Sequence, residues 1–124
     1  MSGNGKDTAR EPEDLARLFN ARANAGDVEG LVALYEPGAV IAVGVVKATG
    51  HEEIRAFFTK LLSRKSEFPP VDTQPAIRNG DLALTSALLP NGDVSVEAAR
   101  RQGDGTWLWA IDQLRIRPSF PHRD

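Results

Sequence analysis

Trp107-Leu108-Trp109-Ala110-Ile111-Asp112-Gln113-Leu114 is the stretch around which the chain is organised. It holds both tryptophans, has the aromatic and branched content of a strand, and sets one carboxylate among apolar neighbours. Such a strand belongs at the centre of a sheet, and a carboxylate there must be paired, neutralised or used chemically. Just upstream, Gln102-Gly103-Asp104-Gly105-Thr106 has the form of a three-residue hairpin loop, with Gly105 in the left-handed position. That register pairs Gln102 with Thr106 and sets Asp112 opposite Val96. One face then carries Val94, Val96, Ala98, Leu108, Ala110, Asp112 and Leu114. The other carries Ser95, Glu97, Ala99, Arg101, Trp107, Trp109 and Ile111. A two-residue turn at Asp104-Gly105 would instead put Glu97 directly across from Asp112, because a one-residue slip exchanges the faces. The first register sorts the residues more cleanly and is the one expected.

Working back from this strand, the pattern stays β as far as Val71. Strands are expected over 94–101, 82–89 and 71–78, with turns at Pro90-Asn91-Gly92-Asp93 and Asn79-Gly80-Asp81. Pro69-Pro70 closes a helix that opens at Thr49-Gly50-His51-Glu52-Glu53 and buries Ile54, Phe57, Phe58, Leu61 and Leu62. Ala39 to Val46 is a nearly unbroken apolar run, expected as one strand covered on both faces. Upstream lie two helices. The first starts near Pro12 and buries Leu15, Leu18, Phe19 and Ala23. Asn24-Ala25-Gly26-Asp27 ends it at Gly26 and caps a second, short helix at Asp27. Val28, Leu31, Val32 and Tyr35 are expected on its inner side, with Pro37-Gly38 as its end. The order α-α-β-α-β-β-β-β, ending in an antiparallel meander, defines an α+β domain over residues 11–117. Residues 1–10 read as a disordered N-terminal tail and 118–124 as a loose C-terminal one.

The composition narrows the function. The chain has 124 residues, 41% hydrophobic and 26% charged, which suits one soluble core. A net charge of −2 with scattered Lys and Arg argues against nucleic acid or membrane partners, which need a basic patch. No cysteine is present, and the two histidines lack metal-site spacing. No metal and no cofactor are expected, and a cytoplasmic location is.

Three segments carry a family resemblance: Asn24-Ala25-Gly26-Asp27 followed by Leu31-Val32-Ala33-Leu34-Tyr35, then Gly50-His51-Glu52-Glu53-Ile54-Arg55-Ala56-Phe57-Phe58, then Trp109-Ala110-Ile111-Asp112. Together they resemble the nuclear-transport-factor-2-like superfamily, in its SnoaL-like and ketosteroid-isomerase-like branch. The resemblance implies three helices packed in the concave face of a strongly curved mixed, mainly antiparallel sheet: a cone-shaped, cystatin-like α+β roll with an apolar pocket. It also implies a homodimer through the outer sheet face, which on the expected register would carry Trp107, Trp109 and Ile111.

Residue by residue, the isomerase set is mostly absent. Its general base matches Val43, and no Asp or Glu occurs between Glu36 and Glu52. Its oxyanion-binding tyrosine matches Phe19. Its protonated acid, a group for which the isomerase is itself the standard example, matches Asp112. A standard ketosteroid isomerase is therefore not expected. What is expected is a small-molecule pocket lined by Phe19, Tyr35, Val43, Phe58, Val96 and Ala110. There Asp112 would act as acid or base in a lyase-, isomerase- or cyclase-type reaction, with His51 a secondary catalytic candidate near a helix N-terminus. The alternative is a non-catalytic binder of a small hydrophobic ligand or a dimeric interaction module, so enzyme status stays open at this stage.

Overall fold

The structure, a computed structural model, describes residues 7–117. Residues 1–6 of the N-terminal tail expected over 1–10, and the whole C-terminal tail expected over 118–124, lie outside the described residues. Helices α1 (Asp14–Asn24) and α2 (Val28–Val32) lead into strands β1 (Tyr35–Val43) and β2 (Val46–Thr49). Helix α3 (Gly50–Arg64) follows, then β3 (Asp72–Thr73), β4 (Ile77–Asn79), β5 (Leu82–Leu88), β6 (Val94–Arg101) and β7 (Trp107–Ile116). The sheet runs β2-β1-β7-β6-β5-β3, with β4 also on β5. Every pairing is antiparallel except β1 with β7. The α+β roll and its mixed, mainly antiparallel sheet are as the sequence implied.

Local chemistry fixes the helix ends. Asp14 Oδ2 accepts the N–H groups of Arg10 and Glu11, each at 3.1 Å, at the start of α1. Gly26, at φ 71°, turns the chain out of that helix. Asp27 then caps α2 by accepting the Gly30 N–H at 2.9 Å. At α3, Glu53 reaches back to the Thr49 N–H at 2.8 Å.

Four expectations are corrected. Helix α2 stops at Val32, and Tyr35 opens β1, where the Leu34 carbonyl and Tyr35 already pair with Trp109. Pro37-Gly38 falls at an irregularity in the β1–β7 pairing, a place where a residue without an N–H is tolerated. The apolar run 39–46 is two strands, because Gly44, at φ 60°, turns β1 back onto β2. The strand expected over 71–78 is two short pieces, β3 and β4, flanking Pro75. Finally, residues 7–10 are held against the sheet: Ala9 is buried, and its carbonyl accepts the Trp107 N–H at 2.9 Å.

The core lies between the helices and the concave face of the sheet. Leu15, Leu31, Ile41, Ile54 and Phe58 are fully buried, each stabilising the fold by roughly 1.5–3 kcal/mol relative to exposure. The Phe19, Tyr35, Phe58 and Trp109 rings meet edge-to-face or tilted, with centroids 5.4–6.0 Å apart.

The largest correction concerns β7. The hairpin loop is the expected one: Gln102 N–H donates to Thr106 O at 2.7 Å and Gly105 has φ 88°. Ala99 then pairs with Trp109, but Ala98 pairs with Ile111, leaving Ala110 as an extra residue in a β-bulge. Beyond it Glu97 pairs with Asp112, the arrangement that the two-residue turn would have produced. The bulge puts Trp109 and Asp112, three residues apart, on the same face. Trp107 and Trp109 are therefore buried on the inner face, at 4% and 3% exposure, and only Ile111 of the expected interface trio faces outward.

Candidate ligand site

A cavity of about 250 Å³ opens between α1, the segment after α3, and the inner face of β5, β6 and β7. Phe19 from α1 and Phe68, Pro69 and Val71 from the segment after α3 line its apolar walls. Thr85, Ser95, Glu97, Trp109 and Asp112 form its floor, and Lys65, Pro90, Asn91 and Arg115 stand toward its edge.

The floor carries two hydrogen-bonded polar groups on an otherwise apolar surface. The Tyr35 hydroxyl, from beneath, donates to Asp112 Oδ2 at 2.5 Å. The Trp109 indole N–H donates to Thr85 Oγ1 at 3.2 Å, and the Thr85 hydroxyl donates to Glu97 Oε1 at 2.5 Å. Asp112 Oδ1 is fully buried and has no partner among the described residues.

Burial drives the electrostatics. Asp112 is 1% exposed and Glu97 7%. Loss of hydration pushes the Asp112 carboxyl well above the usual carboxylate range; the Glu97 charge pushes it further, and the Tyr35 hydrogen bond opposes both. Glu97 is raised as well, by burial, against the pull of the Thr85 and Ser95 hydroxyls. Two carboxyls face to face on adjacent strands resist holding two charges, so the pair favours a shared proton.

The structure brings together only part of the expected lining. Phe19 and Asp112 border the cavity. Tyr35 and Phe58 lie behind it in the core at 1% and 0% exposure. Val96 and Ala110 do not line it: Val96 alternates with the inward Ser95 and Glu97, and Ala110 is the bulge residue. Val43 sits at the β1–β2 turn, opposite Val46, and is also absent from the lining. His51 lies elsewhere too, with its Nε2 2.7 Å from the Tyr35 carbonyl, tying the first turn of α3 to β1. Since a carbonyl only accepts, Nε2 there carries the proton.

Glu97 is the site group that the preferred register hid, though the alternative register carried its signal. Tyr35 was expected at the pocket, but its hydrogen bond to Asp112 and the place of Thr85 depend on strand neighbours that no local pattern names.

Fold and cavity together place the chain in the nuclear-transport-factor-2-like superfamily, the class of cone-shaped α+β rolls with an internal pocket. Within it, the family model of the SnoaL-like domain matches residues 15–118, and the chain belongs to that family. A protein of unknown function with a cystatin-like fold from Nostoc punctiforme is similar, with a TM-score of 0.69 and 21% identity over 88% of this chain and 90% of that one. So is a ketosteroid isomerase-like protein from Erwinia carotovora atroseptica, with a TM-score of 0.68 and 17% identity over 86% of this chain and 94% of that one. At such identities the likeness concerns the fold. No curated protein matches the sequence. No helix among the described residues is long and apolar enough to cross a membrane.

Proposed function

We propose that this protein takes a small, largely apolar molecule into the cavity and engages its polar end with Asp112. Asp112 then serves as acid or base in a lyase-, isomerase- or cyclase-type reaction. One observation carries the reading: Asp112 Oδ1 is a buried polar atom without a partner among the described residues, on a residue that lines a largely apolar cavity. Such an atom costs about 1–3 kcal/mol when unsatisfied, and a ligand polar group would remove that cost. The volume lies just below the roughly 300–1,000 Å³ of drug-sized pockets, which favours a compact molecule. Glu97 across the sheet supplies a second carboxyl, so one of the pair can hold a proton while the other takes one.

A second reading, ligand binding without conversion, is favoured by Phe19 and Val43 standing where the isomerases keep their tyrosine and base. The two separate cleanly. Compounds that raise the melting temperature of the protein are assayed for conversion, with Asp112→Asn alongside. Conversion that Asp112→Asn abolishes supports the acid–base role, and conversion unchanged in Asp112→Asn removes it. Binding with no conversion leaves the carrier reading.

The partner of the outer sheet face is a second copy of the chain. Across β5, β6 and β7 three cross-strand rows lie in register: Leu84, Ala98 and Ile111; Ser86, Val96 and Gln113; Leu88, Val94 and Ile116. None of the nine residues is charged, whereas the chain as a whole is 26% charged. Charge-poor apolar rows of this kind suit a self-complementary contact.

A further inference from the structure

The hydrogen-bonding capacity of the cavity floor is one-sided. The Tyr35 O–H is committed to Asp112, the Trp109 N–H to Thr85, and the Thr85 O–H to Glu97. These three neutral donors of the floor are thus directed at protein acceptors. For a ligand the floor also presents two carboxyls, Glu97 and Asp112; Asp112 is 1% exposed, lines the cavity and leaves its Oδ1 without a partner among the described residues. Aromatic rings line the same cavity: Phe19 and Trp109, with centroids 6.0 Å apart, and Phe68. Carboxyl oxygens beside ring faces are the usual surroundings of an organic cation, since carboxylate charge and ring quadrupole both attract positive charge. Among the described residues, the cations that line the cavity do not fill this place. Lys65 is exposed, its ammonium 5.0 Å over the Phe68 ring, and Arg115 points to Asp93 at 3.7 Å.

We infer that the ligand is a small apolar amine whose protonated nitrogen sits against the Glu97 and Asp112 carboxyls, with its hydrocarbon body along Phe19, Phe68 and Trp109. An ammonium group offers three N–H donors to a floor that lacks acceptor partners. It also supplies the positive charge that lets two facing carboxyls ionise together. A neutral carbonyl compound would use only a proton already on the pair and would leave the second charge uncompensated. The inference rests on the reading that the cavity holds a small molecule, and it specifies the polar end of that molecule.

The test is a matched pair of probes that differ only in that group: 2-aminotetralin and 2-tetralone. Each is titrated by calorimetry, with the Trp109 indole N–H resonance reporting occupancy of the cavity. The amine is expected to bind at least tenfold more tightly than the ketone. Glu97→Gln is isosteric and keeps an acceptor for Thr85; it should weaken the amine about tenfold and leave the ketone within about twofold. Asp112→Asn should do the same, which guards against a folding defect in either variant alone. Ketone binding as tight as amine binding, or a Glu97→Gln protein that keeps the wild-type ratio, overturns the inference while the cavity reading stands. If neither probe moves the Trp109 resonance, both fail.

Discussion

The Tyr35 hydroxyl donates to Asp112 Oδ2 over 2.5 Å, tying the first residue of β1 to β7 beneath the cavity floor. Tyr35→Phe removes the only hydrogen bond that the Asp112 side chain makes among the described residues and strands a second carboxyl oxygen in the interior. The expected loss is about 1–3 kcal/mol of unfolding free energy, measured by urea denaturation. Because that hydrogen bond is what opposes the upward shift of Asp112, the carboxyl resonance of Asp112 should titrate at still higher pH in the variant.

Stability should fall as pH rises through the range in which the acid pair ionises. Asp112 and Glu97 have folded values above their unfolded ones of 3.8 and 4.5. The native state therefore holds protons that the unfolded chain releases, and the slope of stability against pH is negative. This contribution is fully present below the unfolded values and is lost as pH climbs toward the folded ones. Glu13, Glu29 and Asp104 are lowered, so their contribution is lost only on acidification, below the unfolded range. Tyr35 from β1 faces the pair, and Glu13 from α1, Lys65 beyond α3 and Arg115 from β7 line the same cavity. Urea midpoints should decline as pH rises above the unfolded carboxyl values, and Glu97→Gln combined with Asp112→Asn should flatten the curve.

Ligand binding should be visible in one tryptophan and silent in the other. Trp109 borders the cavity and Trp107 does not. Quenching or a spectral shift on addition of 2-aminotetralin should persist in Trp107→Phe and vanish in Trp109→Phe. The opposite pattern would place the ligand elsewhere.

His51 should behave as a fastener. Its Nε2 meets the Tyr35 carbonyl at 2.7 Å, away from the cavity. His51→Ala should lower stability by about 1 kcal/mol, the value of one hydrogen bond, with ligand affinity unchanged in the same titration. A drop in affinity without a drop in stability would restore it to the site.

Charge on the outer face should separate the two copies of a dimer. Leu84 and Ile111 are 46% and 59% exposed and share a cross-strand row. Sedimentation of wild type at micromolar concentration should give the mass of a dimer, and Ile111→Lys or Leu84→Lys that of a monomer with an intact fold. A monomeric wild type would remove the proposal.

Much of the fold was legible because helix periodicity, caps and turn glycines are local. Asp27, Gly26 and Gly105 behave as their types dictate, and α3 and β6 keep their expected extents to within about a residue. What the sequence did not disclose is non-local. Tyr35 fits the inner stripe of a helix as well as the start of a strand, and only its pairing with Trp109 across the sheet decides. The site was half legible for the same reason. Asp112 stands out as a lone acid in an apolar run, but the facing of Glu97 depends on one extra residue in β7. A simple two-residue alternation cannot anticipate that residue.

The bulge at Ala110 has a thermodynamic meaning of its own. An unbroken strand would turn Ile111 inward and give Asp112 to water, sparing the protein the dehydration of a carboxyl and gaining roughly 2 kcal/mol from the isoleucine. The native strand does the reverse and leaves Ile111 59% exposed. Beyond the bulge every side chain of β7 changes face, so the extra residue also keeps Leu114 packed against the core and turns Gln113 away from it.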